Sequence, residues 1–358
     1  METVVIIGAG PAGLATAVCL KRLGIKFALL DRTGKAGGSF CRMPRAMRLL
    51  SPRAYVSMPH WPYSGREEYP GIPLYEQYLQ EYAAQFELPL EQKEVVEVKK
   101  LPEGFEVRCR NGPDLRCRFV ITATGVFSNP VWPQIPGLTL ARSEAGNPVV
   151  LHAQDWSGAS PFAGRRILIV GAGISGVSIA EECARAGLYV LVSRRPGHPL
   201  LVPPRLLGRD ILNWFRPVEF LPRTIFGSIC RSGVHPPAYN NGYRKFIANG
   251  QIRESVEIAE VAGRVVNFVD GSREEADVII AATGYRYETP FLPDEVARAP
   301  GGHPLSKRCE SENWPGLFFV GSSCARRLDS EFLRGIASDA AFVARRIARR
   351  LGFKNPQS

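Results

Sequence analysis

Two uncharged apolar runs, each followed by a glycine-rich turn, are the strongest feature of the hydrophobic pattern. Residues 4–7 (VVII) and 167–170 (ILIV) are continuous apolar runs, which predict parallel strands buried on both faces. Each run leads into a GxGxxG turn, at 8–13 and 171–176, and then into small residues that suit a closely packed helix. We call these turns the first and the second cradle. A single GxGxxG is weak evidence, but a strand before it and a helix after it are the context of a dinucleotide-binding turn.

Each cradle combines the features that bind a pyrophosphate. The first glycine permits the tight turn, the second lets the backbone approach the phosphates, and the third lets the helix lie against the strand. The helix N-terminus directs its amide groups at the anion. The glycines superpose at a constant offset along the chain: Gly8, Gly10 and Gly13 in the first cradle, and Gly171, Gly173 and Gly176 in the second. The offset predicts two dinucleotide sites.

The same offset distinguishes the two sites by the residue that ends the following strand. Asp31 ends the run IKFALLD, where a carboxylate accepts hydrogen bonds from an adenosine ribose. Its counterpart at the end of LYVLVSR is Arg194, followed by Arg195. A guanidinium gains about 1.5–3 kcal/mol from a charge-assisted hydrogen bond, so it favours a 2′-phosphate. We therefore predict an unphosphorylated adenosine in the first site and NADPH in the second, preferred over NADH by about tenfold or more.

Two further segments repeat, FVITATG (119–125) and DVIIAATG (277–284), each an apolar strand that ends in Ala-Thr-Gly. With these segments and the two cradles, the chain resembles the two-dinucleotide-binding-domain flavoproteins. In detail it is most similar to the class B flavin monooxygenases, which include the microsomal flavin-containing, Baeyer–Villiger and plant YUCCA-type enzymes. The resemblance extends over nearly the whole chain, through GG at 37–38, LLSPRAYVSMPHWPY, PQIPGL, HAQDW and GLFFVGSS…EFLRGIASDA.

The resemblance implies an α/β fold of two Rossmann-like dinucleotide-binding domains, the second inserted in the first. FAD then occupies a discontinuous domain of residues 1–157 and 286–358, and NADPH a domain of residues 158–285. Residues 130–163, rich in Pro, Gly and Ser, are interpreted as a linker. Residues from about 197 to 250 are interpreted as a helical excursion. Its apolar, proline-broken part at 197–237 is either a substrate-facing lid or a scaffold packed on the domain.

The resemblance also assigns residues to the two coenzymes. For FAD they lie in the first cradle, after the following strand, and in the first ATG and late glycine segments: Gly8, Gly10, Pro11, Ala12, Gly13, Asp31, Arg32, Gly38, Ser39, Phe40, Ala123, Thr124, Gly125, Gly321, Ser322, Phe332 and Leu333. For NADPH they lie at the equivalent positions of the second half: Gly171, Gly173, Ile174, Ser175, Gly176, Ser193, Arg194, Arg195, Ala282, Thr283 and Gly284. A helix that begins at 331–335 would direct its N-terminus at the electron-rich flavin pyrimidine.

Three positions depart from the monooxygenase pattern. The identifying motif of that family is Phe-x-Gly-x-x-x-His-x-x-x-aromatic, and His152 and Trp156 keep its second half. Gly146 and Pro148 replace the Phe and the Gly of the first half. Ser51 occupies the segment where many members have an Asn near the flavin, an Asn that YUCCA-type relatives also lack. These departures concern oxygenation rather than the two cofactors.

The implied reaction is reduction of FAD by NADPH, capture of molecular oxygen as a flavin hydroperoxide, and oxygenation of a small organic substrate. The sequence assigns no catalytic residue outright, and the candidates are Ser51, His60, Trp61 and Cys41. Two alternatives stay open. Cys41 follows GGSF, close to the thiol of single-cysteine flavin disulfide or peroxide reductases, although the chain has neither C-x-x-C nor C-x-x-x-x-C. The other alternative is a non-enzymatic flavin or NADP sensor.

The composition limits the partners and the location. The net charge is +11, but the arginines occur as scattered pairs without a basic block, so we predict no nucleic-acid partner. The longest uncharged stretch, 3–20, contains the first cradle, so we predict no stable membrane insertion. Eight cysteines without a framework of spacings favour a reducing compartment, and we predict the cytoplasm. The sequence shows no metal-ligand cluster and leaves the substrate and the oligomeric state open.

Overall fold

The computed structural model describes residues 2–138, 147–196, 201–214, 238–240, 242–299 and 301–353. The helices with described bounds are α1 Pro11–Arg22, α2 Ile72–Gln85, α3 Ile174–Arg185, α4 Tyr243–Ala248 and α5 Leu333–Arg350. The strands before the second cradle are β1 Glu2–Ile7, β2 Phe27–Asp31, β3 Leu90–Gln92, β4 Val95–Leu101, β5 Gly104–Cys109, β6 Leu115–Thr122, β7 Val149–His152 and β8 Ile167–Val170.

The later strands are β9 Val190–Ser193, β10 Leu201–Val202, β11 Arg205–Leu206, β12 Arg209–Asp210, β13 Ala238–Tyr239, β14 Ile252–Ser255, β15 Ile258–Ala262, β16 Val265–Phe268, β17 Arg273–Glu275, β18 Val278–Ala281, β19 Ser306–Lys307, β20 Glu310–Ser311 and β21 Leu317–Phe319. Short 3₁₀ turns lie at Gly38–Cys41, Arg53–Tyr55, Ala153–Asp155 and Ser160–Phe162.

Nine of the described strands form the first sheet, around β1. Its parallel centre has the order β3-β2-β1-β6-β21, and Val5 lies opposite Ala28 on β2 and Val120 on β6. The antiparallel strands β5 and β4 branch from the first part of β6, at Leu115–Cys117, and β20 and β19 extend the sheet beyond β21. Helices α1 and α5 pack together in the core on one face. Val5 and its neighbour Val4 are fully buried, as the continuous apolar run predicts.

Five of the described strands form the second sheet, which is parallel throughout. Its order is β14-β9-β8-β18-β7, and Ile169 on β8 lies opposite Val192 on β9 and Ile280 on β18. Helix α3 packs on one face, and the antiparallel strands β15, β16 and β17 cover the other. The two sheets with their helices, and structural neighbours of the same architecture described below, confirm the predicted α/β fold.

Two interpretations of the sequence need correction. Strand β7 lies inside 130–163, which we interpreted as linker, yet its backbone pairs in parallel with β18 and so forms an edge of the second sheet. The excursion after 197 is helical only in part, because β11 and β12 form an antiparallel hairpin before α4. Most of 197–237, the predicted lid or scaffold, lies outside the described residues.

The chain passes between the two sheets through a paired connection. The amide of Val131 donates to the carbonyl of Gly284 (3.0 Å), and the amide of Arg286 donates to the carbonyl of Asn129 (2.9 Å). The Thr283 hydroxyl also donates to the Val131 carbonyl. The outgoing and returning segments, each following an Ala-Thr-Gly, therefore bind one another.

Candidate active site

The first cradle is shaped by backbone geometry. Gly8 has a φ of +105°, and a Cβ added there would lie 2.6 Å from the Ala123 carbonyl oxygen, so the ATG segment excludes a side chain. Helix α1 then begins at Pro11 with Gly10 as its N-cap, and no side chain in the described ranges caps its first amides. Uncapped amides at a helix N-terminus carry partial positive charge and bind anions.

The second cradle repeats this geometry closely. Gly171 has a φ of +101°, and an added Cβ would lie 2.6 Å from the Ala282 carbonyl oxygen of the second ATG segment. Helix α3 begins at Ile174 after the N-cap Gly173, again without a capping side chain among the described residues. The offset seen in the sequence therefore corresponds to a structural repeat in which each ATG segment lies against its cradle.

At the first cradle, Asp31 is fixed against the turn. Its Oδ2 accepts a hydrogen bond from the Ala9 amide (2.9 Å), and its Oδ1 accepts one from the Thr33 amide (2.8 Å). The carboxylate is half-buried. Its Oδ1 also accepts from the Thr33 hydroxyl (2.6 Å), and its Oδ2 keeps a lone pair for a further donor. Arg32, the next residue, is exposed. Asp31 is thus held where a dinucleotide ribose lies in folds of this kind.

At the second cradle, each arginine has a carboxylate partner. The Nη2 of Arg194 lies 2.9 Å from Oε2 of Glu254, and the Nε of Arg195 lies 2.9 Å from Oε1 of Glu257. The hydroxyl of Ser193, the last residue of β9, donates to a backbone carbonyl (2.8 Å). Both guanidiniums lie at the end of β9, as the sequence predicts. Their carboxylate partners come from a distant part of the chain, and the sequence did not predict them.

Two predicted FAD-binding segments approach the first cradle. A Cβ added to Gly38 would lie 2.8 Å from the Gly10 Cα, and one added to Gly321 would lie 3.0 Å from the Ala12 Cβ. Gly321 also lies beside Ile336 in the first turns of α5. The loop after β2, the ATG segment and the late glycine therefore meet around the start of α1.

Other predicted FAD-binding residues are mostly internal. The Phe40 ring is buried and packs edge-on against Tyr75, with 5.0 Å between centroids, so it contributes mainly to the core. Burial raises the pKa of Tyr287, and the nearby hydroxyls of Ser322 and Thr124 oppose that rise. Thr124 and Ser322, predicted in separate motifs, are therefore neighbours. Phe332 and Leu333 are the N-cap and first residue of α5, and Ser39 lies in the 3₁₀ turn before Phe40.

Glu331 is a titratable residue that sequence analysis placed at a helix start without noting its burial. Its Oε1 is buried and has no hydrogen-bond partner among the described residues. Burial raises the pKa of its carboxyl group to about 7, while the Ser323 hydroxyl and Arg334 act against that rise. A carboxyl group that titrates near neutral pH is typical of functional sites. The sequence shows a glutamate just before α5, but only the fold shows that its carboxyl group is buried.

Cys41 has the properties of a protonated thiol. Its Sγ lies 3.4 Å from the Ala36 carbonyl oxygen and donates a hydrogen bond to it. Burial raises its pKa, and the carboxylates of Glu76 and Asp31 raise it further. A reactive cysteine requires the opposite environment, one that stabilises the thiolate.

His60 and Trp61 lie away from the first cradle. Burial and the charge of Arg22 lower the pKa of His60, which places His60 near the last residue of α1. Trp61 packs on Phe86 just after α2, with 6.0 Å between ring centroids. The cradle is at the other end of α1, about 18 Å away for a helix of this length. Ser51, a further candidate, is buried.

A cavity of about 510 Å³ lies between the segment after Ser51 and the hairpin β11–β12. Contacts across it join the Arg205 guanidinium to the Glu68 carboxylate and the Tyr69 hydroxyl to the Asp210 carboxylate. The described part of the excursion therefore packs on the segment that follows Ser51. Within the described ranges, no group of His, Cys, Asp and Glu is arranged to hold a metal ion. None of the described helices combines the length and apolar character of a membrane span.

Comparison with known proteins identifies relatives of the chain. Residues 5–199, more than half of it, match the family described as pyridine nucleotide-disulphide oxidoreductase. The indole-3-pyruvate monooxygenase YUCCA1 of Oryza sativa subsp. japonica is 28% identical over 383 residues, covering 96% of this chain and 90% of that protein.

Solved structures share the fold over its full length. A flavin-containing monooxygenase from Stenotrophomonas maltophilia matches with a TM-score of 0.79 at 24% identity, covering 98% of this chain and 100% of that one. The bacillithiol disulfide reductase Bdr (YpdA) from Staphylococcus aureus matches with a TM-score of 0.75 at 20% identity, covering 98% of each chain. The predicted resemblance to two-dinucleotide-binding-domain flavoproteins is confirmed.

Proposed function

The chain belongs to the pyridine nucleotide-disulphide oxidoreductase family, and from this premise we propose that it is an FAD- and NADPH-dependent monooxygenase. The observation that carries the proposal is the pair of cradles with matching backbone geometry, one bordered by Asp31 and the other by Arg194. Two phosphate sites with different strand-end charges suit two different dinucleotides. Monooxygenases among the full-length relatives support this assignment.

The first cradle fits FAD. The uncapped amides of α1 suit a pyrophosphate, and Asp31 presents a fixed carboxylate to ribose hydroxyls. Gly38 and Gly321 let their loops lie directly against the turn, because a side chain at either position would press on Gly10 or Ala12. The second cradle fits a pyridine nucleotide through the amides of α3 and the guanidinium of Arg194.

The chain positions two coenzymes whose chemistry is their own. FAD, when bound, supplies hydride acceptance from NADPH and the reaction of the reduced flavin with molecular oxygen. Helices α1 and α3 hold the two pyrophosphates, and the paired segments at Val131 and Gly284 fix the connection between the units. We assign residues 1–148 and 286–358 to the FAD unit and residues 149–285 to the NADPH unit, because β7 belongs to the second sheet.

The environment of Cys41 favours oxygenation over the reductase alternative. A flavin disulfide reductase needs a thiolate at neutral pH, and burial together with Glu76 keeps the Cys41 thiol protonated. The chain also lacks the paired cysteines of dithiol reductases. We propose that the acceptor of the flavin's electrons is molecular oxygen and that the second product is an oxygenated small organic molecule. The cysteine spacings favour action in the cytoplasm, although Cys324 is disulfide-bonded, which is rare there.

Three measurements on the purified protein test the proposal. Denaturation is expected to release FAD rather than FMN, and anaerobic NADPH is expected to bleach the flavin. Turnover of a metabolite panel under isotopically labelled dioxygen is expected to place one labelled oxygen atom in a product.

Each result bears on a different part of the proposal. A colourless protein that cannot be reconstituted with FAD contradicts the first site. A flavin that NADPH does not reduce favours the sensor alternative. NADPH-dependent reduction of a low-molecular-weight disulfide, abolished in Cys41→Ser, would favour the reductase.

A further inference from the structure

The charge balance at the end of β9 differs from that of a simple 2′-phosphate site. Arg194 and Arg195 contribute two positive charges, and Glu254 and Glu257 place two negative charges against them at 2.9 Å. A phosphate that enters this site meets two carboxylates as well as the two guanidiniums. The cluster also contains carboxylate oxygens, which accept hydrogen bonds from ribose hydroxyls.

Glu254 is held firmly beside Arg194. Its Oε2 pairs with the Arg194 guanidinium, and its Oε1 accepts a hydrogen bond from the hydroxyl of buried Tyr243 (3.2 Å). The Tyr243 amide in turn donates to Oε1 of Glu181 (2.8 Å). Strands β14 and β9 pair in parallel, and the Arg194 amide donates to the Ser255 carbonyl (3.0 Å). The carboxylate therefore remains near whatever binds Arg194.

The two ion pairs differ in exposure. The side chains of Arg194 and Glu254 are 31% and 23% exposed, whereas those of Arg195 and Glu257 are 80% and 48% exposed. Solvent and salt screen the outer pair much more than the inner one. The inner carboxylate therefore has the larger electrostatic effect on a bound phosphate.

We propose that Glu254 determines coenzyme specificity by lowering the preference for NADPH over NADH. The inference rests on the proposed second dinucleotide site. A 2′-phosphate must share Arg194 with Glu254 and lies close to that carboxylate, so charge repulsion weakens its binding. The 2′-hydroxyl of NADH meets no such repulsion and can donate a hydrogen bond to the same carboxylate. Glu254 thus weakens the binding of NADPH and strengthens the binding of NADH.

Nucleotide binding to the FAD-containing protein isolates this effect. We would titrate adenosine 2′,5′-bisphosphate and AMP, which differ only in the 2′-phosphate, and follow the heat of binding. Glu254→Gln removes the charge and keeps one oxygen, which can accept from Arg194 while the amide NH2 donates to the Tyr243 hydroxyl oxygen. The ratio of the AMP Kd to the bisphosphate Kd is expected to rise about fivefold or more in this variant, and to rise less at high salt.

Two further variants serve as controls. Glu260→Gln removes a carboxylate of β15 that accepts from Asn267 (2.9 Å), away from Arg194, and is expected to leave the ratio unchanged. Glu257→Gln removes the exposed partner of Arg195 and is expected to change the ratio less than Glu254→Gln does. Circular dichroism and retention of the flavin verify that each variant is folded.

The outcomes separate this inference from the function on which it rests. A ratio in Glu254→Gln equal to that of the wild type overturns the role of Glu254, and a lower ratio does so too, since it would mean that the carboxylate orients Arg194 for phosphate. Binding of neither nucleotide to the wild-type protein overturns the second dinucleotide site and this inference with it. A rise in Glu254→Gln that exceeds any rise in Glu257→Gln supports the proposal.

Discussion

The two cradles have nearly the same backbone geometry, but the strands beside them end in residues of opposite charge. Gly8 and Gly171 differ in φ by only a few degrees, and each lies against the carbonyl of an ATG segment. At the strand ends, however, Asp31 accepts hydrogen bonds from backbone amides of its own unit, whereas Arg194 pairs with a carboxylate on the next strand. The comparison teaches that one backbone geometry recurs with different neighbouring charges, and we propose that these charges select the dinucleotide.

The cradles also differ in what covers them. Helix α5 packs on α1, and Gly321 brings the start of α5 to the first cradle. Among the described residues, the helix packed on α3 is the short α4, whose Tyr243 reaches Glu254 instead of the turn. In the described residues, the helix of the first cradle therefore packs on a longer helix than the helix of the second cradle does.

The largest effects are expected from substitutions that disrupt one cradle and leave the other intact. In Gly13→Val and Gly176→Val, the new side chain overlaps the carbonyl oxygen of the first glycine of the same cradle, and forced overpacking costs about 1–3 kcal/mol or more. Gly13→Val is expected to lose FAD. Gly176→Val is expected to retain FAD but to lose its reduction by NADPH. Visible absorbance of the purified variants and anaerobic NADPH titration measure both effects.

A glycine outside the cradles provides the control for these substitutions. Gly24→Ala is strained by a φ of +68° but lies in open space beyond the other end of α1, so it is expected to retain both functions. Loss of FAD from both cradle variants alike would mean that the two units do not act as separate sites.

The next largest effect concerns the pH dependence of stability and comes from Glu331, a residue near the first cradle whose carboxyl group has a raised pKa. Its folded-state pKa of about 7 lies above the unfolded value of 4.5, so the folded protein binds the proton more tightly between these values. The free energy of unfolding is therefore expected to fall as pH rises through this window, by about 3 kcal/mol in total. Urea denaturation across the window measures it, and Glu331→Gln is expected to remove this part of the pH dependence.

The exposed residue Glu103 gives a matched control for Glu331. Glu103→Gln removes the same kind of charge from a solvated turn and is expected to leave the pH dependence as in the wild type. A wild-type protein whose free energy of unfolding rises from slightly acidic to neutral pH, with Glu331→Gln showing the same rise, would contradict the buried, protonated state of Glu331.

A smaller effect is expected at the strand end of the second cradle. Arg194→Ala should lower the preference for NADPH over NADH by about tenfold, because it removes a charge-assisted hydrogen bond to the 2′-phosphate. Arg195→Ala should have less effect, since Arg195 is exposed. The rates of flavin reduction by the two coenzymes measure the preference. If neither substitution changes it, the 2′-phosphate does not bind at this strand end.

The smallest effect on turnover is expected from a substitution of Cys41. Cys41→Ser should change neither NADPH oxidation nor product formation beyond about twofold, because the thiol is protonated and serves packing. Parallel assays with a substrate panel and with disulfides measure this. Loss of all turnover in Cys41→Ser would assign the flavin's electrons to the thiol.

Much of the fold was predictable because its signals are local. Continuous apolar runs, the two GxGxxG turns and the ATG ends each specify a strand, a turn or a helix start within a few residues. The missed elements depend on distant partners. Strand β7 forms because β18, more than a hundred residues later, offers an edge, and nothing in the composition of 130–163 marks that pairing. Likewise His60 and Trp61 followed a site segment in sequence but lie near the far end of α1.

The sequence by itself determined the two phosphate cradles and the difference between Asp31 and Arg194, because steric demands on glycine and the charge at a strand end act over a short stretch of chain. Only the tertiary structure decided which charged side chains lie beside these residues. Glu254 reaches Arg194 across two adjoining strands, and Glu331 titrates near neutral pH because the fold buries it. Electrostatic energies depend on distance and burial in space, and those are set by packing between segments far apart in the chain.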